Sequence, residues 1–182
     1  LLEQIKPLKT NFQLQQSKKN QKLYLRNFVF GIEDALVSTV GLLSGIAVAG
    51  MPKKSILIAG VILIFVEAFS MGAGSFISEH SSEEYINKKH QTHNRHFFAA
   101  LIMFASYFVA GFIPLLPYII VEVGLAFWLS IIASLITLFS LGATNAKIFK
   151  IKIWGHALEM LAVGGIATLV GVSIGKLAKL FL

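Results

Sequence analysis

Five apolar stretches, residues 28–50, 55–78, 97–120, 123–145 and 154–175, set the limits on what this 182-residue chain can become. A hydrocarbon core of roughly 30 Å is crossed by about 20 mostly apolar helical residues, and each stretch is long enough to do so. With 55% hydrophobic and 14% charged residues and a mean hydropathy of +0.74, the composition lies outside that of a soluble domain. The fold class expected is all-α, a polytopic membrane protein with five transmembrane helices. The first stretch follows 27 polar residues and contains acids, which separates it from a cleavable signal peptide. It is expected to stay in the mature protein.

Orientation follows from the Lys and Arg residues, which favour cytoplasmic flanks. Six precede the first helix (Lys6, Lys9, Lys18, Lys19, Lys22, Arg26), three lie in the second connection (Lys88, Lys89, Arg95) and three in the fourth (Lys147, Lys150, Lys152). The other flanks hold Lys53, Lys54, Lys176 and Lys179. The expectation is an N-terminus in the cytoplasm and a C-terminus outside. The net charge of +7 is then a matter of topology, and no basic patch interleaved with aromatics points to nucleic acid. Without Cys, disulfides, zinc thiolates and thiol catalysis are excluded together.

Residues 1–27 read as a basic cytoplasmic segment with a short interfacial helix ending near Arg26, and 28–182 as the membrane domain. Pro52, just after Gly50, makes helices one and two antiparallel neighbours. Residues 79–96, "EHSSEEYINKKHQTHNRH", are the one sizeable polar connection. They are too few for a separate domain and can extend helix two before turning back. Pro114 and Pro117 are expected to break the chain abruptly between helices three and four. Gly171 and Gly175 have the small-xxx-small spacing that lets helices approach closely.

Within this apolar frame, Gly31, Asp34, Ser38, Gly41 and Gly45 recur at helical spacing and line one face of helix one. Glu67, Met71, Gly74, Ser78 and Ser81 do the same on helix two, and the two stripes are expected to pack face to face. A carboxylate in lipid is unfavourable by about 2.5–3.5 kcal/mol on insertion scales and persists where it is buried in protein, paired or wetted. Asp34 reads either as a packing hydrogen bond made by the protonated acid or as a cation or proton site. Met71 reads as packing or, facing a carboxylate, as a soft donor that favours a transition metal over Mg2+ or Ca2+. Glu33 lies about 100° around the helix from Asp34, so one acid faces the pathway and the other a partner helix. Glu67 is a second intramembrane acid, as proton carrier or polar partner. His156 and Glu159, at i and i+3, read as a hydrogen-bonded pair.

The two stripes resemble the vacuolar iron transporter family of Fe2+/Mn2+ transporters. The family's first helix reads approximately L-R-x-x-V-x-G-x-x-D-G-L-V-S. Here "LRNFVFGIEDALVSTVGLLSG" matches through Leu25, Arg26, Val29, Gly31, Asp34, Leu36, Val37, Ser38, Gly41, Leu42 and Gly45. "SMGAGSFISEHS" resembles the second-helix motif through Ser70, Met71, Gly74, Ser78 and Ser81, and "PLLPY" at Pro114–Tyr118 resembles the turn after helix three. The resemblance spans about residues 23–180. It implies a homodimer with the pathway between subunits, Asp34 and Met71 of both chains as metal ligands, and transport by proton antiport. Ala35 stands where the family has Gly, Ser75 where it has Glu, and Glu33 and Glu67 where uncharged residues are usual. The last two could restore the charge missing at Ser75.

The resemblance is to the short form, without the inserted cytoplasmic metal-binding domain. Within 79–96, Glu79, His80, Glu83 and Glu84 are the candidates for cytoplasmic metal capture, with His90, His93 and His96 beside them; a solvated polar loop explains them equally well. The function expected is a secondary transporter exporting Fe2+ or Mn2+ from the cytosol in exchange for protons. Asp34 and Met71 would bind the metal, with Glu67, Glu33, Ser38, Gly41, Gly45 and Gly74 along the pathway. The metal is substrate, and no tightly bound cofactor is expected. The alternative is a membrane scaffold that keeps the fold without transport. No nucleotide-binding or nucleophile motif marks an enzyme. A prokaryotic cytoplasmic membrane is the expected location, ahead of a vacuolar one.

Overall fold

The computed structural model describes the backbone of residues 2–87 and 93–181. Five α-helices follow in order: α1 (Leu2–Val48), α2 (Lys53–Asn87), α3 (His93–Ile120), α4 (Val123–Phe149) and α5 (Ile153–Phe181). Each is long and apolar enough to cross a membrane, over 20–48, 53–83, 94–120, 123–149 and 153–181. No strand occurs among the described residues. The all-α, five-span architecture expected from the hydropathy is the one found.

Two expectations about helix ends change. No break occurs near Arg26: α1 is one helix of 47 residues, about 70 Å long at 1.5 Å per residue, more than twice the hydrocarbon thickness. Lys, Gln and Leu, which dominate its first half, are all good helix formers, and no Gly interrupts it before Gly31. Pro114 and Pro117 lie inside α3, and the chain turns only at Val121–Glu122. Proline is tolerated within a membrane helix where neighbours supply hydrogen bonds to the backbone. The rings deprive the Ala110 and Ile113 carbonyls of the N–H four residues on; Ser130 Oγ on α4 donates close by, to the Pro114 carbonyl at 2.7 Å, and the helix closes with the ordinary bond from Val121 N–H to the Pro117 carbonyl at 3.0 Å.

The turn after α1 follows from its glycine. Gly50 has φ +85°, its N–H reaches the Ala47 carbonyl at 3.1 Å, and Met51 N–H reaches the Ile46 carbonyl at 3.3 Å, a Schellman closure that Pro52 prevents from continuing as helix. Lys53 Nζ donates to the Val121 carbonyl at 2.9 Å and so ties this turn to the α3–α4 turn. These two turns mark one end of the bundle, the turn end. The α2–α3 connection and the α4–α5 turn mark the other, the loop end.

α1 is the hub. Half of its spanning part is buried, against 22% for α4 and α5, and it packs on all four other helices. α3 is the principal neighbour of both α1 and α2, so the two polar stripes meet along a shallow V backed by α3 and are not pressed face to face. Ala35, Ala68, Tyr107 and Ala110 fill the middle of that V, with Met71 against them. Toward the turn end, Leu43, Ile56, Ile64, Leu115 and Tyr118 form the core.

α1 and α5 run parallel and approach through glycines. A Cβ on Gly171 would overlap the Gly41 carbonyl, and one on Gly175 the Gly45 carbonyl. The close approach expected of Gly171 and Gly175 is present, and its counterpart is the Gly41–Gly45 pair. The missing side chains of Gly41 and Gly45 therefore serve the contact with α5, in addition to any space they leave for an ion.

Candidate ion pathway on the α1–α2 face

Asp34 and Glu67 sit half-buried at mid-membrane depth on adjacent helices, each within the electrostatic field of the other. Neither forms an ion pair among the described residues. Two carboxylates close together in a poorly solvated place repel, and a cation between them or a proton on one of them relieves the repulsion. Met71 lies one turn beyond Glu67 on α2 and packs on the Ala35–Tyr107 cluster, which puts a thioether next to the acids.

Tyr107 completes this centre. Its side chain is wholly buried, and its hydroxyl shares a 2.7 Å hydrogen bond with Ser38 Oγ. Ser38 in turn donates to the Asp34 carbonyl at 2.7 Å. The phenol also lies in the field of Asp34 and Glu67. A tyrosine in the apolar run "ASYFVAG" was the available signal, but nothing in the sequence pairs it with a serine 69 positions away.

Toward the loop end, a cavity of about 560 Å3 opens from Met71 past Gly74 and Ser78 to Arg26 and Glu79. Gly74 faces open space. Ser75, standing where the resemblance implies Glu, accepts a 2.7 Å hydrogen bond from Asn27 Nδ2, which also donates to the Ala99 carbonyl at 3.0 Å. Asn27 is buried and pins α1, α2 and α3 together, a role the sequence did not announce. Toward the turn end, a groove of about 940 Å3 runs between α2 and α5 along α1, walled by Val37, Leu42, Ile46, Ile58, Ile62 and Ile174, with Ser38, Gly41 and Gly45 on its floor. Met71 lines the loop-end cavity and Ser38 the turn-end groove.

Glu33 lies in the field of His156 on α5 as well as in that of Asp34. Three of the four candidates for metal capture, Glu79, His80 and Glu83, are divided among partners. Glu79 pairs with Arg26, and Glu83 pairs with Arg95 at 2.7 Å and lies 3.0 Å from His96 Nε2. His80 stacks on Phe76 and meets the edge of the His96 ring. The side chains of Glu84, His90 and His93 lie outside the described residues. Among the described residues, no group of three or more His, Asp and Glu gathers as a ligand set for a metal.

The sequence model of the VIT family matches this chain over residues 25–99 and 86–176. These segments take in α1 from Leu25 onward and every later helix. No curated protein matches the chain.

Proposed function

The chain belongs to the VIT family, a family of metal-ion transporters of membranes, and from that premise we propose that it is a secondary transporter exporting Fe2+ or Mn2+ from the cytosol by proton antiport. One observation carries this reading: Asp34 and Glu67 repel one another at mid-membrane without a basic partner among the described residues. Such a pair is a place for a dication or for protons, and exchange of one for the other couples their gradients. Asp34 would bind the ion through its carboxylate, Met71 would bias the choice toward a transition metal, and the Ser38–Tyr107 bond would hold the backbone beneath Asp34. The twelve basic residues assigned to the inner flanks orient the loop end toward the cytosol. The ion then enters past Ser78 and Gly74.

The homodimer belongs to the same proposal. In one chain, the α1–α2 face leaves both carboxylates half-exposed beside an open apolar groove, and lipid against them would be unfavourable by about 2.5–3.5 kcal/mol each. A second copy set on this face would cover the groove and bring two sets of acids to one path. The scaffold reading draws its support from Ser75, whose hydroxyl is committed to Asn27. Metal flux separates the two readings. Purified protein in liposomes is expected to pass Mn2+ or Fe2+ in preference to Mg2+, and Met71→Ala to narrow that preference by about tenfold. Folded wild-type protein that passes no transition metal would leave the scaffold.

A further inference from the structure

On the side of α1 turned toward α5 lies a second polar cluster, removed from the face of Asp34 and Met71. His156 is held at both ring nitrogens: Nδ1 is 3.2 Å from Glu159 Oε2, and Nε2 is 3.1 Å from Asn145 Nδ2 on α4. Glu33 on α1 adds its charge to the imidazole's surroundings. Asn145 is only 8% exposed, and its Oδ1 has no hydrogen-bond partner among the described residues. A buried acceptor left empty calls for an explanation.

The bonding supplies one. An amide nitrogen only donates, so Nε2 accepts from Asn145, and the single ring proton sits on Nδ1, where it donates to Glu159. In that state Oδ1 is spare. When Nε2 takes up a proton it becomes a donor, and a half-turn of the Asn145 carboxamide places Oδ1 opposite it. The same side chains satisfy both states, with Glu159 beside the ring and Glu33 within electrostatic reach of it. The nearest cations along the chain are Lys150 and Lys152 in the α4–α5 turn, both exposed; the Lys152 carbonyl accepts from His156 N–H at 3.3 Å. α5 packs on α1 and α4; α1 contributes Glu33, and the one charged residue of α4, Lys147, is exposed two positions past Asn145. Lys176 and Lys179 are at the far end of α5. His156 lies in the first turn of α5 at the loop end, beside a Glu159 side chain that is 75% exposed, so interfacial water can deliver the proton.

We propose that His156, set among Asn145, Glu159 and Glu33, is a proton-binding site at the α1–α4–α5 junction, separate from the metal-binding face. Its part in coupling, holding a proton on the loop-end side during exchange, rests on the antiport reading above. The cluster is not a cation cage, since no ligand set of three or more His, Asp and Glu gathers among the described residues.

The test uses the full chain in nanodiscs with 15N-labelled imidazoles, the His156 signals being those absent from His156→Gln. Above neutral pH a single tautomer with the proton on Nδ1 is expected. Acidification should give the doubly protonated ring, with the Asn145 side-chain amide signals moving in the same step. Asn145→Leu should leave a mixture of tautomers. A His156 that keeps one proton down to about pH 4, well below the ordinary histidine range, or that titrates without moving Asn145, overturns the site. For coupling, His156→Gln should bind Mn2+ as wild type does by calorimetry while losing gradient-driven flux by about 100-fold, the low end of what a positioned proton-transfer group contributes. An unchanged response to the gradient overturns the coupling role. Wild type without gradient-driven flux overturns the antiport reading, and with it that role, whereas the titration judges the proton site on its own.

Discussion

Asp34→Asn in reconstituted protein is expected to lower Mn2+ flux by about 100-fold or more, beyond the 10–100-fold that loss of an outer-shell partner costs a metal site. The substitution keeps the size and hydrogen-bonding reach of the side chain and removes only its charge. Ser38 bonds to the Asp34 backbone carbonyl and not to the carboxylate, so the Ser38–Tyr107 link survives. The fold should be undisturbed, and relief of repulsion from Glu67 should leave the protein at least as heat-resistant as wild type. Loss of flux together with loss of folded protein would instead assign Asp34 to packing.

Gly171→Leu should have the largest effect on stability. The new Cβ would overlap the Gly41 carbonyl, which belongs to the central helix and cannot step aside as a flexible side chain would. Overpacking typically costs 1–3 kcal/mol, and a clash with backbone belongs at about 3 kcal/mol. In thermal unfolding followed by size-exclusion chromatography this corresponds to a midpoint lower by roughly 10 °C. Gly165→Leu on the same helix is the control, since a Cβ there meets nothing within 4 Å; its midpoint should match wild type. Equal melting of the two variants would mean that α1 and α5 are not held by glycine contact.

The five helices were legible because lipid demands long apolar runs, and that demand is written residue by residue. The close approach of α5 was legible too, since Gly171 and Gly175 remove bulk on one face wherever their partner lies. Misreadings arose where a local rule met a tertiary supplement. Pro114 and Pro117 signal a break in a solvated chain, but Ser130, sixteen positions on, bonds into the helix there. The angular separation of Asp34 and Glu33 followed from helix geometry alone. Tyr107 and Asn27 did not, because their importance comes from Ser38 and Ser75, on other helices, and no spacing encodes such a meeting. Glu79 and Glu83 likewise looked available for metal in a linear reading, whereas folding brings Arg26, Arg95 and His96 to them.

Exchange of a metal ion for protons at the Asp34–Glu67 pair is tested most directly by recording Mn2+ entry and lumenal pH together in proteoliposomes acidic inside. The lumen should become less acidic in proportion to the Mn2+ that enters, and both signals should vanish together in Asp34→Asn. Mn2+ entry with no accompanying loss of lumenal protons would contradict the account.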